Sequence, residues 1–145
     1  MSVSHAVSDP FDPRYQSICF YLADDVAHQW DSFAVLTAYN PHGKLASQVE
    51  NDQASERLEA TLVERGFEFV AIAGSAPDDS HAEPGFGLRC AHNEARVLAQ
   101  KFQQLAYYWV CDGRLFLEAT LEKKRVELGS WSRKVRYRPA GPSTT

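Results

Sequence analysis

The stretch Phe33-Ala-Val-Leu-Thr-Ala-Tyr-Asn-Pro41 decides the fold. Apolar on both faces from Phe33 to Tyr39, it reads as a central β-strand. It breaks at Asn40-Pro41-His42-Gly43, because a residue before proline avoids the helical region and glycine supports a turn. Downstream, Ser47-Gln-Val-Glu50 has capping-box spacing, in which Ser47 and Glu50 satisfy each other's backbone amides. That start predicts a helix from about Gln48 to Arg65, with Ala54, Leu58 and Leu62 as its buried stripe and Gly66 as its C-terminal cap. Phe67 to Ala73 then reads as a second apolar strand, trailing into Gly74-Ser75-Ala76-Pro77 and on to Glu83-Pro84-Gly85-Phe86-Gly87. Two strands joined by a helix should run parallel, so both polar turns leave by one edge of the sheet, where open α/β sheets hold ligands.

Working outward, Tyr15 to Leu22 reads as a strand, with Ile18, Phe20 and Leu22 alternating with Cys19 and Tyr21. Ala23-Asp24-Asp25 suits a turn, and Val26 to Ser32 fits a helical turn or a loop. Residues 74–92 read as one long loop, a length that is often functional. A second helix is expected from an Asn93 cap to Gln104, burying Ala95, Leu98, Ala99 and Phe102. Ala106–Val110 and Leu115–Ala119 flank Cys111-Asp112-Gly113-Arg114, a hairpin signal. Glu127 to Tyr137 fits either a short strand or a surface arm. The expected architecture is therefore α/β (or α+β), a single mixed sheet of about five strands with two helices, in the order β-β-α-β-α-β-β. Residues 1–14 are expected as a flexible N-terminal arm, 15–120 as one domain and 121–145 as a basic C-terminal extension.

Composition narrows the class. The chain has 145 residues, 44% hydrophobic and 12% aromatic, enough for one real core. No apolar run approaches the roughly 20 residues that cross a bilayer, and the start lacks the basic and apolar regions of a secretory signal. Three cysteines (Cys19, Cys90, Cys111) without metal-type spacing suit reduced thiols in a cytoplasmic protein. Net charge is −4 overall, but the part from Lys123 onward carries +6, leaving −10 on residues 1–122. An acidic body with a basic end points to a charged partner.

The residues also form a familiar pattern. Thr37-Ala-Tyr-Asn-Pro41 is followed by Asn51, Arg57-Leu58, Gly74, Pro77-Asp78, Glu83-Pro84, Glu94-Ala95 and Phe102-Gln-Gln104. This resembles a bacterial family known only as a domain of unknown function, number 3293, over roughly Tyr15 to Ala119. The resemblance implies a small cytoplasmic bacterial protein and brings no activity with it.

Four constellations stand out. At the sheet edge, Thr37, Asn40, Ser47 and Asn51 surround a helix start whose free amides suit a phosphate or carboxylate, with Arg57 able to add charge. The same residues can equally fix the turn, cap the helix and brace the loop. In Asp78-Asp79-Ser80-His81-Ala82-Glu83, the alternating Asp79, His81 and Glu83 could share a proton or a metal. A solvated acidic loop explains that segment as well, so no metal is expected; Glu83, before the stiff Pro84-Gly85, is the member retained. Gly85-Phe86-Gly87 permits close backbone approach, with Phe86 as a pocket cover or a plug. In Trp131-Ser-Arg-Lys-Val-Arg-Tyr-Arg138, cations interleaved with rings suit nucleic acid, an acidic protein, or merely a protected edge strand.

No P-loop or G-x-G-x-x-G is present, so no nucleotide cofactor is expected. None of the five histidines sits beside a nucleophile in a recognisable elbow, and Cys90 lies outside the expected helix cap. Two functions follow. The first is a non-enzymatic module for a macromolecular partner, protein or nucleic acid, contacted through Trp131, Arg133, Lys134, Arg136 and Arg138. The second is a binder of, or enzyme for, an anionic metabolite held by Thr37, Asn40, Asn51, Arg57 and Glu83.

Overall fold

The computed structural model describes residues 8–22, 30–78 and 82–137. Eight strands form one sheet: β1 (Cys19–Leu22), β2 (Ser32–Leu36), β3 (Glu68–Ser75), β4 (Ala82–Arg89), β5 (Ala106–Cys111), β6 (Arg114–Ala119), β7 (Arg125–Ser130) and β8 (Val135–Tyr137). Among the described residues three α-helices accompany them: α1 (Pro13–Gln16), α2 (Gln48–Glu64) and α3 (His92–Lys101). The spatial order is β7-β6-β5-β2-β4-β3-β1-β8. The mixed α/β class stands, but the sheet is larger than about five strands and carries one helix more than expected.

The deciding stretch behaves as its pattern dictates. β2 is buried at Phe33 to Leu36, and α2 begins at Ser47, whose Oγ accepts from Glu50 N at 3.1 Å while Glu50 Oε1 accepts from Ser47 N at 3.0 Å. Ala54, Leu58 and Leu62 are its buried stripe, and Gly66 (φ 74°) follows its end. β2 and β3 do run the same way, because both are antiparallel to β4, which lies between them. Their trailing loops therefore share one rim.

β4 is the main correction inside the expected long loop. Pro84, Gly85 and Gly87 read as turn residues, yet each fits a strand packed between two others. A Cβ on Gly85 would lie 2.5 Å from Leu36 O, and one on Gly87 would lie 2.4 Å from Ile72 Cδ1. Pro84 lies beyond the last β2 pair, Leu36 with Phe86, so its missing N–H breaks no ladder bond. The other corrections are local. Residues 13–16 form a helical turn capped by Asp12, which accepts from Arg14 N, before the first strand begins. The α3 cap is Ala91, whose N–H donates to Glu94 Oε1 at 2.8 Å; Asn93 lies inside the helix. The expected turn at 23–25 and most of the ambiguous segment to Ser32 lie outside the described residues.

The sheet is curled. Phe20 on β1 meets Tyr108 on β5 with ring centroids 4.9 Å apart, although β2, β4 and β3 lie between their strands. A flat sheet would separate them by about 19 Å at the usual strand spacing. Inside the curl lies one core, with Phe20, Phe33, Ile72, Tyr108, Leu117 and Trp131; Phe11 from the expected N-terminal arm packs against it. The outer face carries a second core, where Leu36, Phe86, Leu88 and Tyr107 meet α2 and α3.

Within the expected C-terminal extension, residues 125–130 and 135–137 are strands of the sheet. β7 pairs with β6 at one edge of the sheet and β8 pairs with β1 at the other. Only Trp131–Lys134 separate these strands, a reach of at most about 18 Å, so the two edges must be neighbours. Trp131 N donates to Gly113 O at 2.9 Å and Phe20 N donates to Lys134 O at 2.8 Å, stitching this strap to both ends of the curl. No helix among the described residues is long and apolar enough to cross a membrane.

Candidate functional site

The polar residues at the shared rim are bound to one another. Thr37 Oγ1 donates to Pro84 O at 2.9 Å, on the side of β4 where β2 has ended, and accepts from Tyr39 N at 3.2 Å. Asn51 Oδ1 accepts from Asn40 N at 2.8 Å, and Asn51 Nδ2 donates to Asn40 Oδ1 at 3.0 Å. Asn40 Oδ1 also accepts from Ala46 N at 2.9 Å. Thr37, Asn40 and Asn51 are all buried. They brace the 40–47 loop against α2, and their polar atoms face the protein.

This bracing holds an unusual backbone. Asn40 (φ 49°) and His42 (φ 60°) are left-handed, as is Gln103 (φ 58°) just past α3. Each costs on the order of 1–2 kcal/mol, so the surroundings must over-determine it. His42 N donates to Gln103 O at 2.7 Å and Gln104 Nε2 donates to Tyr39 O at 3.1 Å, locking the two strained segments together.

Beside the locked segments lies a groove of about 430 Å³ between α2 and the end of α3. Ala38, Ala54 and Phe102 give it an apolar floor, and Arg57 and Lys101 stand over it. A second hollow of about 380 Å³ adjoins it, sharing Pro41, Ala54 and Arg57 and adding Lys44. Arg57, Lys44 and Lys101 have no ion pair among the described residues. Among the five residues expected to hold a small ligand, Arg57, expected as an accessory, is thus the exposed one, and Lys44 and Lys101 were not foreseen. Their sequence signal was weak: each is an ordinary cation at an element's end.

Glu83 does not join Arg57. The β3–β4 register is continuous from Ala82 to Arg89, and Phe86 and Leu88 face the helices, so Glu83 faces the inside of the curl. It is 2% exposed, and its charge helps to raise the Tyr15 and Tyr108 pKa values, which burial raises most. Asp79 and His81 lie outside the described residues, and among those described no cluster of His, Cys, Asp and Glu could hold a metal ion.

The C-terminal set divides as well. Trp131 is 4% exposed and packs on Phe20 and Phe33, so its ring is not available to a partner. Lys134 Nζ donates to Gln16 O at 3.3 Å. Arg133 and Arg136 are exposed, with Arg136 Nη1 donating to Arg133 O and Val135 O. Arg138 lies outside the described residues.

One cluster escaped the sequence reading. Glu118, 2% exposed on β6, meets Arg125 Nη2 at 2.6 Å and His92 Nε2 at 3.4 Å; the same imidazole nitrogen lies 3.1 Å from Tyr107 Oη. Burial lowers the His92 pKa most; Glu118 opposes this, while Arg125 and Arg96 add to it. A signal existed: in β6, Glu118 shares its parity with Phe116, on the face under α3. Nearby Cys90 is half-buried, its thiol pushed up to about 12 by burial and then by Glu94, so it is no thiolate nucleophile at neutral pH.

A curled mixed sheet with two outer helices and a cation-rimmed groove defines a small α/β protein with a ligand-sized hollow. The family model described as protein of unknown function (DUF3293) matches residues 36–107, and the chain belongs to that family. No curated protein and no solved structure matches it. Every residue lining the groove, from Ala38 to Gln103, falls within the matched stretch.

Proposed function

We propose that the protein is a non-enzymatic binding module for a small anionic ligand with an apolar body, held in the groove under Arg57. The observation that carries this reading is the pairing of unneutralised cations with an apolar floor: Arg57 and Lys101 over Ala38, Ala54 and Phe102. A carboxylate or phosphate would meet the guanidinium as a charge-assisted pair, and the floor would cover the rest of the ligand. The locked loops at Asn40, His42 and Gln103 support a preformed site that needs little ordering on binding. Among the described residues the lining holds no carboxylate or imidazole to serve as acid or base, which favours binding over catalysis. Cysteines that form no disulfide support a reducing, cytoplasmic setting.

Benzoate and 3-phenylpropionate are suitable probes, with thermal stabilisation and calorimetry as readouts. Saturable binding is expected, weakened roughly 10- to 100-fold by Arg57→Ala, the usual effect of losing a hydrogen bond to a charged group. Equal binding by Arg57→Ala and Lys101→Ala, or no saturation by either probe, would reject the groove.

A second reading rests on Arg133 and Arg136, exposed beside the β8 edge. A macromolecular polyanion could lie along them by charge alone, since the buried Trp131 adds no stacking. Arg133→Ala with Arg136→Ala should then reduce the salt dependence of association with a heparin or DNA column. Unchanged elution removes this reading.

A further inference from the structure

We propose that the cleft between the first turn of α3 and the β6–β7 turn is a second anion site, a receptor for a phosphate dianion gripped by Arg96, Arg125 and Lys123. It is separate from the groove under Arg57 and does not depend on it. The cleft has a volume of about 380 Å³, and His92, Arg96, Lys123, Lys124 and Arg125 line it around the buried Glu118.

Both arginines are anchored on one side and open on the other. Arg96 Nη1 donates to the carbonyls of Ala119, Thr120 and Glu122 at 2.8, 2.9 and 3.1 Å, while its Nε and Nη2 have no acceptor among the described residues. Arg125 Nη2 makes an ion pair with Glu118 at 2.6 Å and its guanidinium lies 4.3 Å from the Phe116 ring centroid, while its Nε and Nη1 have no partner among the described residues. Arg96, fixed in this way, offers its Nε–H and Nη2–H as a parallel pair to an oxyanion without first losing side-chain freedom, and Arg125 adds single N–H donors. Lys123 has no partner among the described residues.

Charge selects the ligand. Among the described residues, Arg96, Lys123, Lys124 and Arg125 between them form ion pairs with two carboxylates: Glu118, held by Arg125, and Glu122, 3.3 Å from Lys124. With His92 neutral, two positive charges remain, matching a phosphate dianion. The cleft is larger than one phosphate, so either the free ion or the head of a small phosphate monoester fits.

The test is an NMR titration of the full chain at neutral pH and fixed ionic strength, with inorganic phosphate in one arm and glycerol phosphate in the other. Saturable amide shifts are expected at residues 92–96 and 122–125. A bound dianion should also raise the midpoint of the His92 ring titration by about half a unit or more relative to chloride. Lys123→Ala, an exposed change that leaves the fold alone, should weaken binding by about fivefold. Arg96→Lys should weaken it further if that variant folds. Tighter binding of glycerol phosphate would mark a monoester as the source, and equal binding the free ion. Shifts scattered over all surface cations, an unmoved His92 midpoint, or full affinity in Lys123→Ala would overturn the site. Arg57→Ala should leave phosphate binding unaltered, so this outcome and that of the benzoate experiment are independent.

Discussion

The groove under Arg57 and the cleft beside His92 both gather cations, but they hold them differently. In the groove and the hollow beside it, Arg57, Lys101 and Lys44 have no ion pair among the described residues. In the cleft, Arg125 is tied to a buried carboxylate and Arg96 to three carbonyls. The contrast separates cations that serve a ligand from cations that also hold the fold. A charge over an open apolar floor can be removed without orphaning a buried group. A charge that neutralises Glu118 cannot.

The largest expected effect tests that difference directly. Arg125→Ala leaves the buried Glu118 carboxylate with His92 as its remaining ion-pair contact among the described residues and should cost about 2–3 kcal/mol, somewhat below the usual value for a broken buried pair because Arg125 itself is half exposed. Urea unfolding should show the midpoint falling at constant slope. A loss no greater than that of Arg57→Ala would erase the distinction.

Next is Asn51→Ala, expected to cost about 2 kcal/mol because Asn40 N and Asn40 Oδ1 each lose a buried partner. Benzoate affinity should fall with it as the rim relaxes. If stability falls while affinity holds, the braced loop is not part of the groove's geometry.

The third effect depends on pH. His92 has its pKa lowered in the fold, chiefly by burial, so the unfolded chain binds this proton more readily. Its stabilising contribution is complete above the ordinary histidine value of about 6.5 and is lost as pH falls below it. Thermal unfolding from pH 7.5 down to about 5 should therefore fall more steeply for the parent chain than for His92→Asn. Parallel profiles would mean that the imidazole is not held neutral. Arg57→Ala should give the smallest change, within about 0.5 kcal/mol, as for most surface substitutions.

How much could be read beforehand followed the range of the interactions. α2, capped by Ser47 and Glu50, and the β5–β6 hairpin, turning at Asp112 (φ 50°) and Gly113 (φ 79°), rest on neighbours in sequence and were legible. β4 was not, because Pro84, Gly85 and Gly87 signal a turn until β2 and β3 are seen on either side. That omission also misplaced Glu83, whose face is set by strand parity. β8 was visible only as one of two readings, a short strand or a surface arm, because its partner β1 is far away in sequence, with Val135 opposite Phe20. Trp131 looked like a stacking ring because nothing local reveals that Phe20 and Phe33 enclose it. At the site, the loop chemistry of Asn40 and Asn51 was visible and its bracing role was one of the two readings. The Glu118, Arg125 and His92 cluster needed three elements brought together in space.

The strap from Trp131 to Lys134 has a consequence for synthesis. The final partner of the first strand is translated long after it, with Val135 opposite Phe20, so a nascent chain carries an open sheet until β8 clears the ribosome. Until then the edge of β1 and the ring surfaces that Trp131 will cover stay available to other chains. A premature stop before residue 131 should therefore yield aggregates or a chaperone-bound product rather than a slightly weakened monomer.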